Sequence, residues 1–215
     1  MLCRVKDVEL YYEVSGSGRP LLLLHGNGED HTIFDKLIPQ LAKEYRVYAV
    51  DSRCHGQSTQ EAGLSYEAMA ADFIGLIKAL QLERPILYGF SDGGSVGLLM
   101  AMEEPRLLSK LIISGANLYP EGLSYKMLGY AQRRAATDRL CALMATQPHI
   151  SLVDLGKIKV PTIVLAGERD LIRREHTQII ADYLPHAQLE LIPGEDHSSY
   201  IVHSEKLYPI LKKYL

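Results

Sequence analysis

The sequence has few of the features that mark secreted, membrane-spanning or nucleic-acid-binding proteins. Its three cysteines, Cys3, Cys54 and Cys141, are odd in number and far apart, which argues against a disulfide framework and favours a reducing compartment. It has no CxxC or CxxH pair that would suggest a structural zinc site, and no apolar run approaches the roughly 20 residues that a membrane span requires. The formal net charge of -3 gives no electrostatic basis for binding nucleic acid or an anionic membrane.

The N-terminus and the composition are typical of a globular chain. The first residues, MLCRVKDVELYY, are charged and alternating, unlike a signal peptide. Hydrophobic residues make up 47% of 215 residues, enough for a sizeable core, and no linker or repeat divides the chain. We therefore expect one domain over residues 1–215 in a soluble, cytoplasmic protein without nucleic-acid or membrane partners.

Apolar runs alternate with segments of helical spacing behind an N-terminal hairpin. We expect strands at 20–24, 46–50, 85–88, 108–114, 162–166 and 188–192, and helices at 32–43, 65–80, 95–102, 150–156, 175–184 and 204–215. The segment 117–147 follows no regular pattern. The alternation predicts an α/β fold with a mostly parallel central sheet and helices on both faces. The active site of such a sheet lies beyond the carboxyl ends of its strands.

The stretch from Pro85 to Met100, PILYGFSDGGSVGLLM, predicts a buried strand, a sharp turn and a helix. Its turn matches G-x-S-x-G around Ser91. Glycine has no Cβ to clash in such a turn, which lifts the Ser91 hydroxyl to the positive end of the following helix. The motif alone also occurs in ordinary glycine-rich loops, so its interpretation depends on finding a base, an acid and an oxyanion site.

A serine hydroxyl becomes a good nucleophile only when a base takes its proton and an acid orients that base. Ser91, Asp170 and His197 supply this set in the order Ser, Asp, His, each after its own predicted strand. Asp196 and Glu168 are the weaker alternatives for the acid. Of the other histidines, two are assigned to hydrogen bonds that orient loops (His25 and His55), and three to surface helices or turns (His31, His176 and His186).

With these motifs the chain resembles the α/β-hydrolase superfamily over nearly its full length. The resemblance rests on five stretches: His25–Gly28, Asp51–Ser58, Gly89–Gly94, Gly167–Asp170 and Asp196–His197. It implies a serine hydrolase, a small and esterase-like member of the superfamily, with Ser91, His197 and Asp170 as its triad. One departure is Cys54, where the family usually carries glycine, and we expect it to adjust the loop without affecting the chemistry.

The oxyanion site is assigned to two backbone N–H groups, those of Asp92, directly after the nucleophile, and of Asn27, in the loop after an earlier strand. No cofactor and no metal ion are expected. Gly26 and Gly28 match the first two glycines of the G-x-G-x-x-G motif of dinucleotide-binding proteins, but His31 occupies the position of the third glycine. A metal site built on His25, Asp51 and His55 lacks a helical pair of ligands.

Two further expectations concern the substrate, which we expect to be a small acyl compound. The Asp92 carboxylate either serves only as a helix-terminal acid or faces the pocket and attracts a substrate amine. A short lid segment is expected at about 116–149, with its apolar residues shared between the core and a small pocket. The same triad could also hydrolyse lactones, amino-acid esters or carbon–carbon bonds. A non-catalytic receptor or binding protein of the same fold is the alternative to an enzyme.

Overall fold

The computed structural model describes residues 1–215 and contains one eight-stranded sheet. The strands are β1 (Leu2–Val5), β2 (Val8–Ser15), β3 (Arg19–Leu24), β4 (Tyr45–Val50), β5 (Ile86–Phe90), β6 (Lys110–Ser114), β7 (Thr162–Arg169) and β8 (Ala187–Asp196). Their order across the sheet is β1-β2-β4-β3-β5-β6-β7-β8. The hairpin β1–β2 and the pair β2–β4 are antiparallel and every other pair is parallel, which confirms the mostly parallel sheet.

Helices cover both faces of the sheet. They are α1 (Ile38–Leu41), α2 (Tyr66–Ala79), α3 (Asp92–Glu103), α4 (Tyr125–Arg134), α5 (Arg139–Thr146), α6 (Leu152–Leu155), α7 (Arg174–Tyr183) and α8 (Leu207–Leu211). Because side chains alternate along a strand, β3 places Leu22 and Leu24 in the core under α2, α3 and α7, and Leu21 and Leu23 in the core under α1 and α8. This two-sided burial explains why β3 is a continuous apolar run.

Two predicted helices are shorter than expected. The segment 32–43 divides into a 3₁₀ helix, His31–Phe34, and the short α1, whose first turn contains Pro39. The C-terminal segment is helical only over α8 and contains Pro209. In both cases a proline lacks the N–H that a longer helix would need, and it clashes with the preceding turn.

The segment 116–149 is more regular than predicted, so the expectation of an irregular region was wrong. It contains a 3₁₀ helix (Pro120–Gly122) followed by α4 and α5. Ser124 caps α4 by accepting a hydrogen bond from the Met127 N–H, and Asp138 caps α5 through the N–H groups of Leu140 and Cys141. Serine and aspartate are preferred N-caps, and these two residues were the available sequence signal.

The carboxyl ends of the strands open on one edge of the sheet. The loops after β3, β4 and β5 begin with His25, Asp51 and Ser91, and Asp170 and His197 follow β7 and β8 directly. The topology therefore gathers the candidate residues at this edge, as predicted for parallel strands. No helix of the structure has the length and apolar character needed to cross a membrane.

Candidate active site

Ser91 lies in a strained turn between β5 and α3. Its backbone angles are φ 53° and ψ -115°, in a region that non-glycine residues rarely occupy. The flanking glycines are sterically required, because a Cβ on Gly89 would lie 2.2 Å from the Gly93 carbonyl oxygen, and one on Gly93 would lie 2.5 Å from that of Leu24. The turn leaves the serine side chain partly exposed above the sheet edge.

Ser91, His197 and Asp170 form a continuous chain of polar contacts. The Ser91 hydroxyl oxygen is 3.1 Å from His197 Nε2, and His197 Nδ1 is 2.6 Å from Asp170 Oδ1. The Asp170 side chain is only 3% exposed, so little water competes for its contact with the imidazole. A short contact of this kind between an imidazole and a carboxylate is characteristic of a charge-assisted hydrogen bond.

The surrounding backbone and one aromatic ring hold this chain of contacts in place. Asp170 accepts hydrogen bonds from the N–H groups of Gly167 at 3.1 Å and Ile172 at 2.9 Å, which orient the carboxylate. The Phe90 ring packs against the His197 imidazole with 4.9 Å between centroids. Gly115, at φ 61°, leaves space for the imidazole, because a Cβ there would lie 2.6 Å from His197 Cε1.

The alternative acids lie outside this chain of contacts. Asp196 accepts hydrogen bonds from the N–H groups of Ser198 and Ser199, and Glu168 accepts one from Gly194 N–H. The Asp196 carboxylate thus stabilises the turn after β8, and the Glu168 carboxylate joins β7 to β8. Of these three carboxylates, only Asp170 contacts His197.

His25 orients loops, as the sequence predicts. It is fully buried, its Nε2 accepts a hydrogen bond from Ser52 N–H at 3.0 Å, and its Nδ1 lies 2.7 Å from the Gly26 carbonyl oxygen. Burial, followed by the neighbouring His55, lowers the pKa of His25 to about 4. A neutral His25 therefore connects the loops that follow β3 and β4.

His31 and His176 are buried, so the expectation that they lie on the surface was wrong. The ring of His31 contacts Asp51 Oδ1 at 2.7 Å. His176 accepts a hydrogen bond from Leu118 N–H at 2.9 Å, and burial lowers its pKa to about 4. Each histidine connects parts of the chain that are distant in sequence, so the local pattern gave no sign of its burial.

The two predicted oxyanion donors flank the Ser91 turn. Asp92 is the first residue of α3, so its N–H has no acceptor within the helix. Asn27 lies in the loop after β3, and its N–H makes no hydrogen bond with the protein, whereas the neighbouring Gly26 N–H is occupied by Glu29. The Gly93 N–H bonds to the His25 carbonyl oxygen at 3.1 Å and so joins this loop to the start of α3.

The Asp92 carboxylate is engaged by two side chains. Its Oδ1 accepts a hydrogen bond from the Tyr66 hydroxyl at 2.7 Å, and its Oδ2 accepts one from the Asn27 amide at 3.0 Å. Asp92 is 3% exposed, and burial raises the pKa of its carboxyl group while these hydrogen bonds lower it. The residue does not line the pocket beside Ser91, which contradicts the interpretation that it faces a substrate amine.

A pocket of about 300 Å³ lies over Ser91. The insertion supplies four apolar lining residues, Leu123, Met127, Tyr130 and Met144, whereas Leu118 and Leu143 are in the core. The apolar residues of the insertion thus supply both the core and the pocket, whereas Tyr125 is 82% exposed and belongs to neither.

Glu29 is the one carboxylate that lines this pocket, and the sequence interpretation missed it. Its position two residues after Asn27 in the loop following β3 was the available signal. The side chain is half-buried, and its Oε2 accepts a hydrogen bond from Gly26 N–H at 3.0 Å. Burial raises the pKa of Glu29, whereas the Gly26 hydrogen bond and the nearby His197 lower it.

One cluster has donor atoms close enough for a metal ion, namely Asp30, His31 and Asp51, whose atoms lie within 4.8 Å of one another. Its oxygens already bind protein groups. Asp51 accepts hydrogen bonds from the N–H groups of His31 and Gln57, and Asp30 caps the 3₁₀ helix through Thr32 N–H. These contacts explain the cluster without an ion.

Cys54 occupies a left-handed backbone conformation, with φ at 66°. This region favours glycine, which gives a physical reason for the glycine usual in the family at this position. The Cys54 thiol is buried and lies 3.5 Å from the Ala62 carbonyl oxygen, which it can reach as a donor. It is not among the residues that line the pocket.

Comparison with known sequences gives matches consistent with this architecture. Residues 19–137, more than half of the chain, match the family model for the alpha/beta hydrolase fold. The AB hydrolase superfamily protein YisY of Bacillus subtilis is 36% identical over 155 residues, which are 71% of this chain but only 58% of that protein. The human serine hydrolase BPHL is 25% identical over 245 residues, covering 98% of this chain and 84% of the human protein.

Solved structures match over the whole chain. Est816, described as an N-acyl homoserine lactone degrading enzyme, superposes with a TM-score of 0.85 at 21% identity and covers 100% of both chains. A thermophilic esterase from Thermogutta terrifontis gives a TM-score of 0.84 at 23% identity over 100% of this chain and 97% of the esterase. At these identities the structural matches establish the fold alone. Together with the match to the family model, they show that this chain belongs to the α/β-hydrolase family.

Proposed function

We propose that this protein is a serine hydrolase that cleaves a small carboxylic ester through an acyl-enzyme intermediate. The observation that carries the proposal is the chain of contacts from the Ser91 hydroxyl through the His197 imidazole to the buried Asp170 carboxylate. Membership of the α/β-hydrolase family and the similarity to a human serine hydrolase support the same reaction class.

In the first half of the proposed reaction, Ser91 Oγ attacks the carbonyl carbon while His197 Nε2 takes the hydroxyl proton. Asp170 accepts a hydrogen bond from His197 Nδ1–H and stabilises the imidazolium. The negative charge on the carbonyl oxygen is bound by the N–H groups of Asn27 and Asp92, where the positive end of α3 adds to the stabilisation. The C–O bond then breaks, and the leaving alcohol takes the proton from His197.

In the second half, water attacks the acyl group on Ser91 while His197 Nε2 removes a proton from the water. Collapse of the second tetrahedral intermediate breaks the bond to Ser91, which recovers its proton from His197. The products are a carboxylic acid and an alcohol, and no cofactor enters the sequence of steps. A lactone is an internal ester and would react through the same steps.

The direct test is labelling with a fluorophosphonate probe, which phosphonylates an activated serine with loss of fluoride. We expect one label per chain on Ser91, lost in Ser91→Ala, together with turnover of at least one ester in a panel that includes lactones. An unlabelled wild-type protein that hydrolyses none of them would instead support a non-catalytic binding protein on this fold.

We further propose that residues 116–149 form a short lid that limits the acyl group. The pocket of about 300 Å³ is small, and α4 and α5 supply three of its apolar lining residues, Met127, Tyr130 and Met144. We expect acetyl and butyryl p-nitrophenyl esters to give a higher kcat/KM than the palmitoyl ester, since a long chain would have to leave the pocket. A kcat/KM that rises steadily with chain length, or a jump in rate above the critical micelle concentration, would contradict the lid assignment.

Gly115→Ala tests whether the position of the imidazole matters for the rate. The added Cβ would overlap His197 Cε1 and strain a residue at φ 61°, so the imidazole ring must move from its present position. We expect kcat to fall by about 100-fold, with a smaller effect on KM, because small displacements of catalytic groups have effects of this size. Gly63→Ala, where a Cβ meets no atom within 4 Å, is the matched control. Equal kcat in both variants would show that the imidazole position is not limiting.

A further inference from the structure

The pocket over Ser91 contains one anionic side chain with no cationic partner. Glu29 forms no salt bridge, and no lysine or arginine lines this pocket. The other lining residues that carry polar groups are Asn27, Ser91, Ser198, His197 and, through its hydroxyl, Tyr130. A half-buried carboxylate in such a place gives the pocket a negative potential that a ligand can neutralise.

The Glu29 carboxylate and the Ser91 side chain lie near the same point of the backbone. A Cβ built on Gly26 would lie 2.8 Å from Glu29 Oε2 and 3.1 Å from Ser91 Cβ, so both side chains approach Gly26 closely. Glu29 Oε2 is held by the Gly26 N–H at 3.0 Å, whereas Glu29 Oε1 makes no hydrogen bond with the protein. The free oxygen can therefore accept a hydrogen bond from a bound molecule.

Basic side chains of the insertion do not neutralise this charge. Lys126 lines an adjoining shallow depression, which shares Met127 and Tyr130 with the pocket, but it does not line the pocket itself. Arg134 is paired with Asp138, Arg139 donates a hydrogen bond to the Cys54 carbonyl oxygen, and Arg133 lies on the exposed surface of α4. A ligand bound at Ser91 would thus meet the Glu29 carboxylate before any cation of the protein.

We propose that Glu29 determines specificity by binding a cationic group, such as a primary ammonium, on the acyl part of the substrate. This proposal rests on the proposed function, since it places the ammonium a few bonds from the carbonyl that Ser91 attacks. An ammonium donates a charge-assisted hydrogen bond to Glu29 Oε1, whereas a substrate carboxylate at the same place is repelled. The Asp92 carboxylate cannot take this role, because Tyr66 and Asn27 occupy it.

The test compares three ethyl esters of similar size and different charge: β-alanine ethyl ester, ethyl butyrate and monoethyl succinate. At about pH 7.5 the amine of β-alanine ethyl ester and the carboxylate of monoethyl succinate are charged. We expect kcat/KM in wild type to decrease from the cationic to the neutral to the anionic ester. Glu29→Gln retains an oxygen for the Gly26 N–H, and we expect the cationic-to-neutral ratio to fall about tenfold or more.

The control variant is Glu121→Gln, which removes the same charge from an exposed residue with no polar partner, and we expect it to keep the wild-type ratio. A role for Glu29 in shaping the loop alone would change all three esters alike and leave the ratio unaltered. A ratio in Glu29→Gln within twofold of wild type would overturn the proposal.

A binding measurement tests the proposed cation site independently of ester hydrolysis. In Ser91→Ala, NMR titrations with 3-aminopropanamide and butanamide give dissociation constants without turnover. We expect the amine to bind about tenfold more tightly than butanamide, and this advantage to disappear in Ser91→Ala combined with Glu29→Gln. If no ester is hydrolysed but this pattern appears, the cation site stands and the proposed reaction fails. Ester hydrolysis with equal affinities for the two amides would refute the cation site alone.

Discussion

Ser91→Ala is expected to lower kcat for a short-chain ester by roughly 10⁴-fold or more, because no other hydroxyl forms a hydrogen bond with His197 Nε2. His197→Ala should have an effect of similar size, since both residues act in the same step and their losses do not add. The folded state should be little affected, because the Ser91 side chain contributes only its contact with His197. The measurements are kcat on an acetyl ester and the free energy of unfolding of each variant.

The acid of the triad can be tested against a neighbour of the same residue type. Asp170→Asn is expected to reduce kcat by about 10⁴-fold, because an amide that donates to Nδ1 would impose the wrong tautomer on His197. Asp196→Asn is the matched control. Its carboxylate lies next to His197 in sequence but accepts hydrogen bonds from Ser198 and Ser199, so turnover should remain close to wild type. Loss of activity in Asp196→Asn alone, or near wild-type kcat in Ser91→Ala, would refute these assignments.

The fold could be predicted from the sequence wherever local patterns have a single physical cause. Buried parallel strands must be apolar on both faces, so β3, β5 and β7 stand out as continuous runs, and Ser65 marks the start of α2 as its N-cap. The first helix was less predictable, because Asp30 caps a short 3₁₀ helix and Pro39 begins a separate turn within a segment whose apolar spacing is helical. Competing local signals of this kind cannot be ranked without the tertiary contacts.

The candidate site also combines residues that the sequence predicts with contacts that no local pattern predicts. Ser91, Asp170 and His197 each follow a recognisable strand, and the topology of the sheet then requires them to meet at one edge. The engagement of Asp92 by Asn27 depends on a contact between residues 65 positions apart, and no local pattern encodes it. The position of Glu29 in the pocket depends on how the loop after β3 folds back onto Gly26.

Two buried histidines outside the proposed triad determine how the protein should respond to acid. His25 accepts a hydrogen bond from Ser52 N–H, and His176 accepts one from Leu118 N–H, so each must be neutral at Nε2. Burial lowers the pKa of both to about 4 from the ordinary 6.5. Below pH 6.5 these two histidines are therefore protonated in the unfolded chain, whereas in the folded chain they stay neutral until the pH approaches 4. The free energy of unfolding falls across this interval.

We expect each of these histidines to reduce the free energy of unfolding by about 2 kcal/mol between pH 7 and pH 5, since one pKa unit corresponds to about 1.4 kcal/mol. His176→Gln tests this, because a glutamine oxygen can accept the Leu118 hydrogen bond but does not titrate. Urea unfolding at the two pH values should show a pH-dependent loss smaller by about 2 kcal/mol in His176→Gln than in wild type. His186→Gln, on an exposed turn, should retain the full loss. Equal losses in all three proteins would show that His176 is protonated in the folded state, and its hydrogen bond from Leu118 would then have to break on acidification.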